Sequence, residues 1–155
     1  MFRAFPRRNL LQHASFLAAV FVLSGCAFAS LGGDLSSVQD DQAHMRAQRR
    51  VIQSTAYSIH EMQVDTGTTV REFVSPQGKV FGVSWQGPVR PDLQQVLGSY
   101  YQEFVRAAPT RRVRGPVTIE TPNLVIQSGG HMRALTGRAY VPAMVPSTVK
   151  TEEIK

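Results

Sequence analysis

The chain has 155 residues, with 17 Lys+Arg against 11 Asp+Glu, one cysteine and a formal net charge of +6. A single cysteine excludes an intramolecular disulfide framework, and the length allows one domain with its own core. Arg3, Arg7 and Arg8 all precede an apolar run at the start of the chain; without them 14 Lys+Arg face 11 Asp+Glu, and a net charge of about +3 argues against a nucleic-acid binder.

Residues 1–29 have the three-part form of a secretory signal: a basic start, an apolar run from Phe16 to Leu23, then small residues. The run is shorter than the roughly 20 apolar residues a bilayer-spanning helix needs. The stretch VLSGCAFASLGG, residues 22–33, is open to two processing routes. Leu23-Ser24-Gly25-Cys26 reads as a lipobox that places a diacylglycerol on Cys26, whereas Ala27-Phe28-Ala29 is a site for plain cleavage after Ala29. The lipid route is the expectation, because it accounts for a lone thiol in an oxidising compartment. With Ala27 next to the lipidated residue, the expected destination is the periplasmic side of the outer membrane; plain cleavage instead gives a soluble periplasmic or secreted protein.

Asp34 is placed to cap a helix running through LSSVQDDQAHMRAQRRVIQ, with acids early and bases late as the helix dipole favours. Its apolar stripe is loose, so a partly detached helix is expected. From Thr55 the pattern changes to short β-rich runs, TAYSIHEMQV, TTVREFVS and KVFGVSWQG, separated by Asp65-Thr66-Gly67 and Pro76-Gln77-Gly78. Each loop is three residues with glycine third, the form of a type I turn closed by a left-handed residue, and it predicts a three-stranded meander. If Val64 pairs with Thr68 and Ser75 with Lys79, then Glu61 faces Arg71, His60 faces Glu72, Phe73 faces Phe81, and Glu72 faces Gly82. That register gathers Ile59, Phe73, Phe81, Val83 and Trp85 into one core face.

After Pro91 the spacing of Leu93, Leu97, Tyr100, Tyr101 and Phe104 predicts an amphipathic helix over 92–107, lying on that aromatic face, with Gly98 marking close packing. The basic linker PTRRVRGP follows, and then strands VTIET, NLVIQS and HMRALTGRAYVP, with turns at Thr121-Pro122-Asn123 and Ser128-Gly129-Gly130. The whole is a single α+β domain over 30–142: an antiparallel sheet of five or six strands packed by one amphipathic helix, plus the N-terminal helix. Residues 143–155 read as a flexible tail, and both 30–33 and 147–155 are expected to add little stability.

LGGD after the signal, HE in the first strand, REFVSPQGKVFGVSWQGP, PDLQQVLGSYY, VIQSGG and GRAYVP together resemble an uncharacterised bacterial family, DUF2844. The resemblance spans nearly all of the chain after the signal. It implies an exported small domain of Gram-negative bacteria and supplies no catalytic residues. Members of that family usually carry plain cleavable signals, and Cys26 departs from that pattern.

Among chemistry-bearing residues, His60 with Glu72, flanked by Gly82, is the candidate ligand site: a carboxylate beside an imidazole should raise the His60 pKa, and a missing side chain should leave a gap. Ser58 and Ser84 are the nearest nucleophiles, but neither sits in a strained elbow that would expose it, so no catalytic residue is assigned. His44, His60 and His131 lack ligand spacing, so no metal and no cofactor is expected. Arg111, Arg112 and Arg114 are a candidate contact for an anionic glycan or lipid, each such charge adding about 1 kcal/mol near an anionic membrane. Trp85, Tyr100 and Tyr101 fall on the buried stripe and read as core rather than a sugar platform.

These features predict an exported cell-envelope protein with a non-enzymatic binding or structural accessory role, anchored to the membrane by lipid and contacting an envelope protein or anionic glycan. Two alternatives stay open: a small envelope hydrolase centred on His60 and Glu72, and a subunit of a larger envelope assembly with a free sheet edge or exposed apolar patch.

Overall fold

The computed structural model describes residues 31–110 and 115–155. Their architecture is α+β: one seven-stranded antiparallel sheet with short helices on one face and the C-terminal segment on the other. In chain order the elements are α1 (Leu35–His44), β1 (Gln48–Gln53), β2 (Ser58–Gln63), β3 (Thr69–Val74), β4 (Val80–Gly87), α2 (Leu93–Leu97), α3 (Tyr101–Ala107), β5 (Val117–Glu120), β6 (Val125–His131) and β7 (Ala134–Tyr140). The spatial order is β1-β2-β3-β4-β7-β6-β5, so β1 and β5 are the edges. Among the described residues no helix is long and apolar enough to cross a membrane.

Asp34 caps α1, its carboxylate accepting from the Ser36 and Ser37 amides at 3.0 and 3.3 Å. The helix is shorter than the sequence predicts. It ends at His44, Arg46 takes φ 49°, and the chain turns back so that residues 48–53 form β1 rather than more helix. The loose stripe cannot sustain a long amphipathic helix, whereas the β-branched pair Val51-Ile52 finds a ready partner in β2. Nor is α1 detached: Ser37, Val38 and Asp41 are buried beneath it.

The two glycine loops form as expected, with the Val64 amide donating to Thr68 at 2.9 Å and the Ser75 amide to Lys79 at 2.8 Å. Gly67 and Gly78 take φ 84° and 76°, the left-handed region that glycine enters without steric cost. His60 faces Glu72 and Glu61 faces Arg71. The next strand pair departs from the simple register. Phe73 faces Gly82, Glu72 faces Val83, and a β-bulge beyond Phe73 restores Val74 opposite Val80. An extra residue in one strand reverses every later side chain. Phe81 stays with Phe73, ring centroids 6.2 Å apart, but Val83 and Trp85 move to the opposite face with Met62 and Val70.

The helical segment therefore covers the Met62, Val70, Val83 and Trp85 face, not the Phe73 face. It is also two helices: Gly98 (φ 49°, ψ −120°) interrupts it, with a 3-10 turn over Gly98–Tyr100 between α2 and α3. Val96 and Leu97 are buried in the core, with Tyr100, Tyr101 and Phe104 packed against it. Ser128-Gly129-Gly130 is not a turn but part of β6; the chain reverses at Met132-Arg133, where Arg133 takes φ 65°.

The largest correction concerns the C-terminal segment. Residues 143–155 are not a loose tail but a strap across the Phe73 face, with Ile154 fully buried and Val149 nearly so, both against Phe73 and Phe81. Tyr57 donates to Glu153 at 3.0 Å, Arg138 to the Thr151 carbonyl at 2.6 Å and Arg71 to the Lys155 carbonyl at 3.2 Å. At the other end Leu31 is buried, its amide bonded to the Val96 carbonyl at 3.1 Å, so residues 31–33 are docked rather than frayed, while Ser30 lies outside the described residues.

Candidate functional site

Strand alternation places Ser58, His60 and Met62 of β2 on the helix-covered face, with Val70, Glu72 and Val74 of β3 beside them and Arg49 of β1 opposite Met62. Asp41 reaches this face from α1, one helical turn beyond Val38, and Gln95 reaches it from α2. Four polar side chains of this group, Asp41, His60, Glu72 and Gln95, lie almost wholly out of solvent.

Gln95 Nε2 donates to Asp41 Oδ1 at 2.6 Å, joining α1 to α2. The Asp41 and Glu72 carboxyls interact with each other, yet Asp41 Oδ2 and Glu72 Oε2 receive no hydrogen bond from any described donor. Two ionised carboxylates in contact and out of water would repel each other strongly. The pair therefore holds a proton. Burial pushes Asp41 up to about 6, partly offset by its bonds to Glu72 and Gln95. Burial raises Glu72 well above the usual carboxylate range, and its bond with Asp41 adds to the rise. The Arg49 charge opposes that rise.

His60 does not behave as its sequence position implies. Its pKa is lowered, first by burial and then by Arg49, rather than raised by Glu72, which carries its own proton and offers little negative charge. His60 Nε2 lies 3.3 Å from Ser58 Oγ, while Nδ1 is buried and has no described partner. Both residues edge a groove of about 420 Å³, shared with Leu35, Val51, Val74 and Pro76.

Gly82 is separated from this group. The bulge puts it on the opposite face, where a Cβ would sit 3.1 Å from Ile154 Cδ1, so the expected gap beside Glu72 does not exist. Cys26 and the arginines Arg111, Arg112 and Arg114 lie outside the described residues. Trp85 is buried and stacks on the bare backbone of Gly137, and no group of three or more metal-ligating side chains gathers among the described residues. Glu61 lies on the strap face between Arg71 and Arg50, both at 2.8 Å, and its carboxyl is held low chiefly by the Arg71 bond.

Sequence reasoning missed Asp41, Gln95 and Arg49 as members of the group. A signal for Asp41 exists: it stands three residues after Val38 and four before Met45, an acid inside the only apolar stripe α1 has.

A second concavity, about 650 Å³, lies on the strap face over β4, β7, β6 and β5, floored by Gln86, Gln127, Thr136 and Arg138 and bounded by Glu152 and Lys155.

Fold and site together define a small antiparallel α+β domain whose buried polar centre ties two helices to the sheet. The chain belongs to the family described as "Protein of unknown function (DUF2844)", which matches residues 27–154. No curated protein and no solved structure matches it.

Proposed function

We propose that this is an exported cell-envelope protein with a non-enzymatic binding or structural accessory role, held on the periplasmic side of the outer membrane by lipid on Cys26. The observation that carries the reading is the lipobox Leu23-Ser24-Gly25-Cys26 at the end of a secretory signal. The described fold supports it: Leu31, five residues after Cys26, is part of the core. Five residue steps from Cys26 to Leu31 reach at most about 18 Å, so an anchored domain would ride close to the bilayer. The non-enzymatic role is supported by the chemistry of the buried group. In a Ser-His-Asp type site an ionised carboxylate orients the histidine, whereas burial favours the protonated form of Glu72 and closes it to solvent. The hydrolase alternative lacks that support.

Intact mass spectrometry of the membrane fraction tests the anchor. The expected species begins at Cys26 and carries diacylglycerol; a mature N-terminus at Ser30 in the soluble periplasmic fraction overturns it.

The assembly reading has an observation of its own. β1 is an edge strand without proline or bulge, and Val51 and Ile52 are exposed on its two faces. Edge strands are templates for added strands, and here only the charges of Arg49 and Arg50 oppose that. Cross-linking in intact cells from position 52 tests it, a discrete adduct being the expected product and monomer alone the contrary one.

A further inference from the structure

We infer that α1 is a proton-held latch: it stays seated on the sheet while Asp41 and Glu72 share a proton, and lifts as that proton is lost, uncovering the Val74, Val80 and Glu72 strip beneath it.

The geometry shows how little else seats this helix. Its inward side buries only Ser37, Val38 and Asp41. Val38 fits against Val74 and Val80, while Leu35 at the helix start stays exposed. One apolar anchor and one acid therefore seat the helix itself, with Met45 at its C-cap packed against the main core. The acid meets another acid. Asp41 Oδ2 and Glu72 Oε2 are both buried and without a described donor, and one shared hydrogen is the atom that satisfies both. Gln95 does not supply it: its Nε2 bonds Asp41 Oδ1 at 2.6 Å, and neither Asp41 Oδ2 nor Glu72 Oε2 receives a bond from it. Without the proton, two acceptors and two like charges face each other out of water.

The charged and titratable surroundings do not replace it. From β1 comes Arg49, one positive charge for two carboxyls; from β2 comes His60, whose protonation burial and Arg49 oppose; from β3 comes Glu72 itself. On α1, His44 lowers the Asp41 pKa and Asp40 raises it, while α2 contributes the neutral Gln95. The folded carboxyl pKa values are raised, so seating is fullest below the ordinary carboxylate range and is lost as pH climbs through about 6 and beyond. Both helix ends suit a hinge. Gly32 and Val80 are backbone-bonded at 2.8 Å, so the start of α1 stays tethered to β4, and Arg46 at φ 49° turns the other end into β1.

The test is amide hydrogen exchange on the intact protein from pH 5 to 8, with rates corrected for intrinsic exchange and with reclosing faster than exchange. α1 amides over 38–44 should lose protection by up to about tenfold per pH unit above about 6, one proton being released per opening. The β4 amides of Val83 and Trp85 should change less. The double variant Asp41→Asn, Glu72→Gln supplies the missing hydrogen as an amide and keeps an oxygen for Gln95, so its α1 protection should be flat with pH. Val38→Ala, which weakens seating without touching the acids, should lower protection at every pH and keep the slope. Wild-type α1 protection constant over this range overturns the latch. So does loss in step with β4 at every pH, or an unchanged slope in the double variant.

Discussion

The two faces of the sheet are covered by opposite means. On one face α1 is seated by a single valine and a pair of acids that need a proton. On the other, residues 143–155 are seated by Ile154 and Val149 against two phenylalanines, with the polar bonds of Tyr57, Arg71 and Arg138 around them. Burial of hydrocarbon is indifferent to pH, whereas burial of an acid costs its charge. One cover is therefore permanent and the other conditional, although the α1 side looks the more regular element.

Four changes break or sharpen that contrast. Deleting residues 147–155 should have the largest effect, removing two buried aliphatic side chains worth about 1.5–3 kcal/mol each and lowering the melting temperature by several degrees. An unchanged melting temperature would restore the loose-tail expectation. Gly82→Val should destabilise by about 1–3 kcal/mol in urea unfolding, because its side chain meets Ile154, and Ile154→Ala in the same chain should cost less than the sum of the two. Additive costs would show that the strap does not sit on the bulge. His60→Gln should act on the acid limb alone. The His60 pKa is lowered, so its contribution is present above about 6.5 and is lost as pH falls through the folded value, opposite in sign to the acid pair. Melting curves at pH 5 should then favour the glutamine variant over wild type, and no difference would remove His60 from the cluster's titration. Arg50→Ala should matter least, within about 0.5 kcal/mol, since Arg50 is 70% exposed and Glu61 keeps Arg71.

Much of this was legible in local sequence. The Asp65-Thr66-Gly67 loop set the β2–β3 register to the residue, including His60 opposite Glu72, because a three-residue turn leaves the backbone few conformations. The Asp34 cap was read on the same local basis. The lipobox was read that way too, but its assignment remains a proposal.

The sequence by itself determined the α+β class, the meander, the strand pairing that local turns enforce, and membership of the family. Only tertiary structure decided which side chains share a face beyond Phe73, since one bulge residue reverses the alternation and the single glycine in FGVSWQ is a signal too weak to fix its position. Tertiary structure likewise decided that Asp41, thirty-one positions before Glu72, would meet it, and that Ile154 would fill the space left by Gly82. Such contacts link segments distant in sequence, and their energy exists only once the sheet between them has formed.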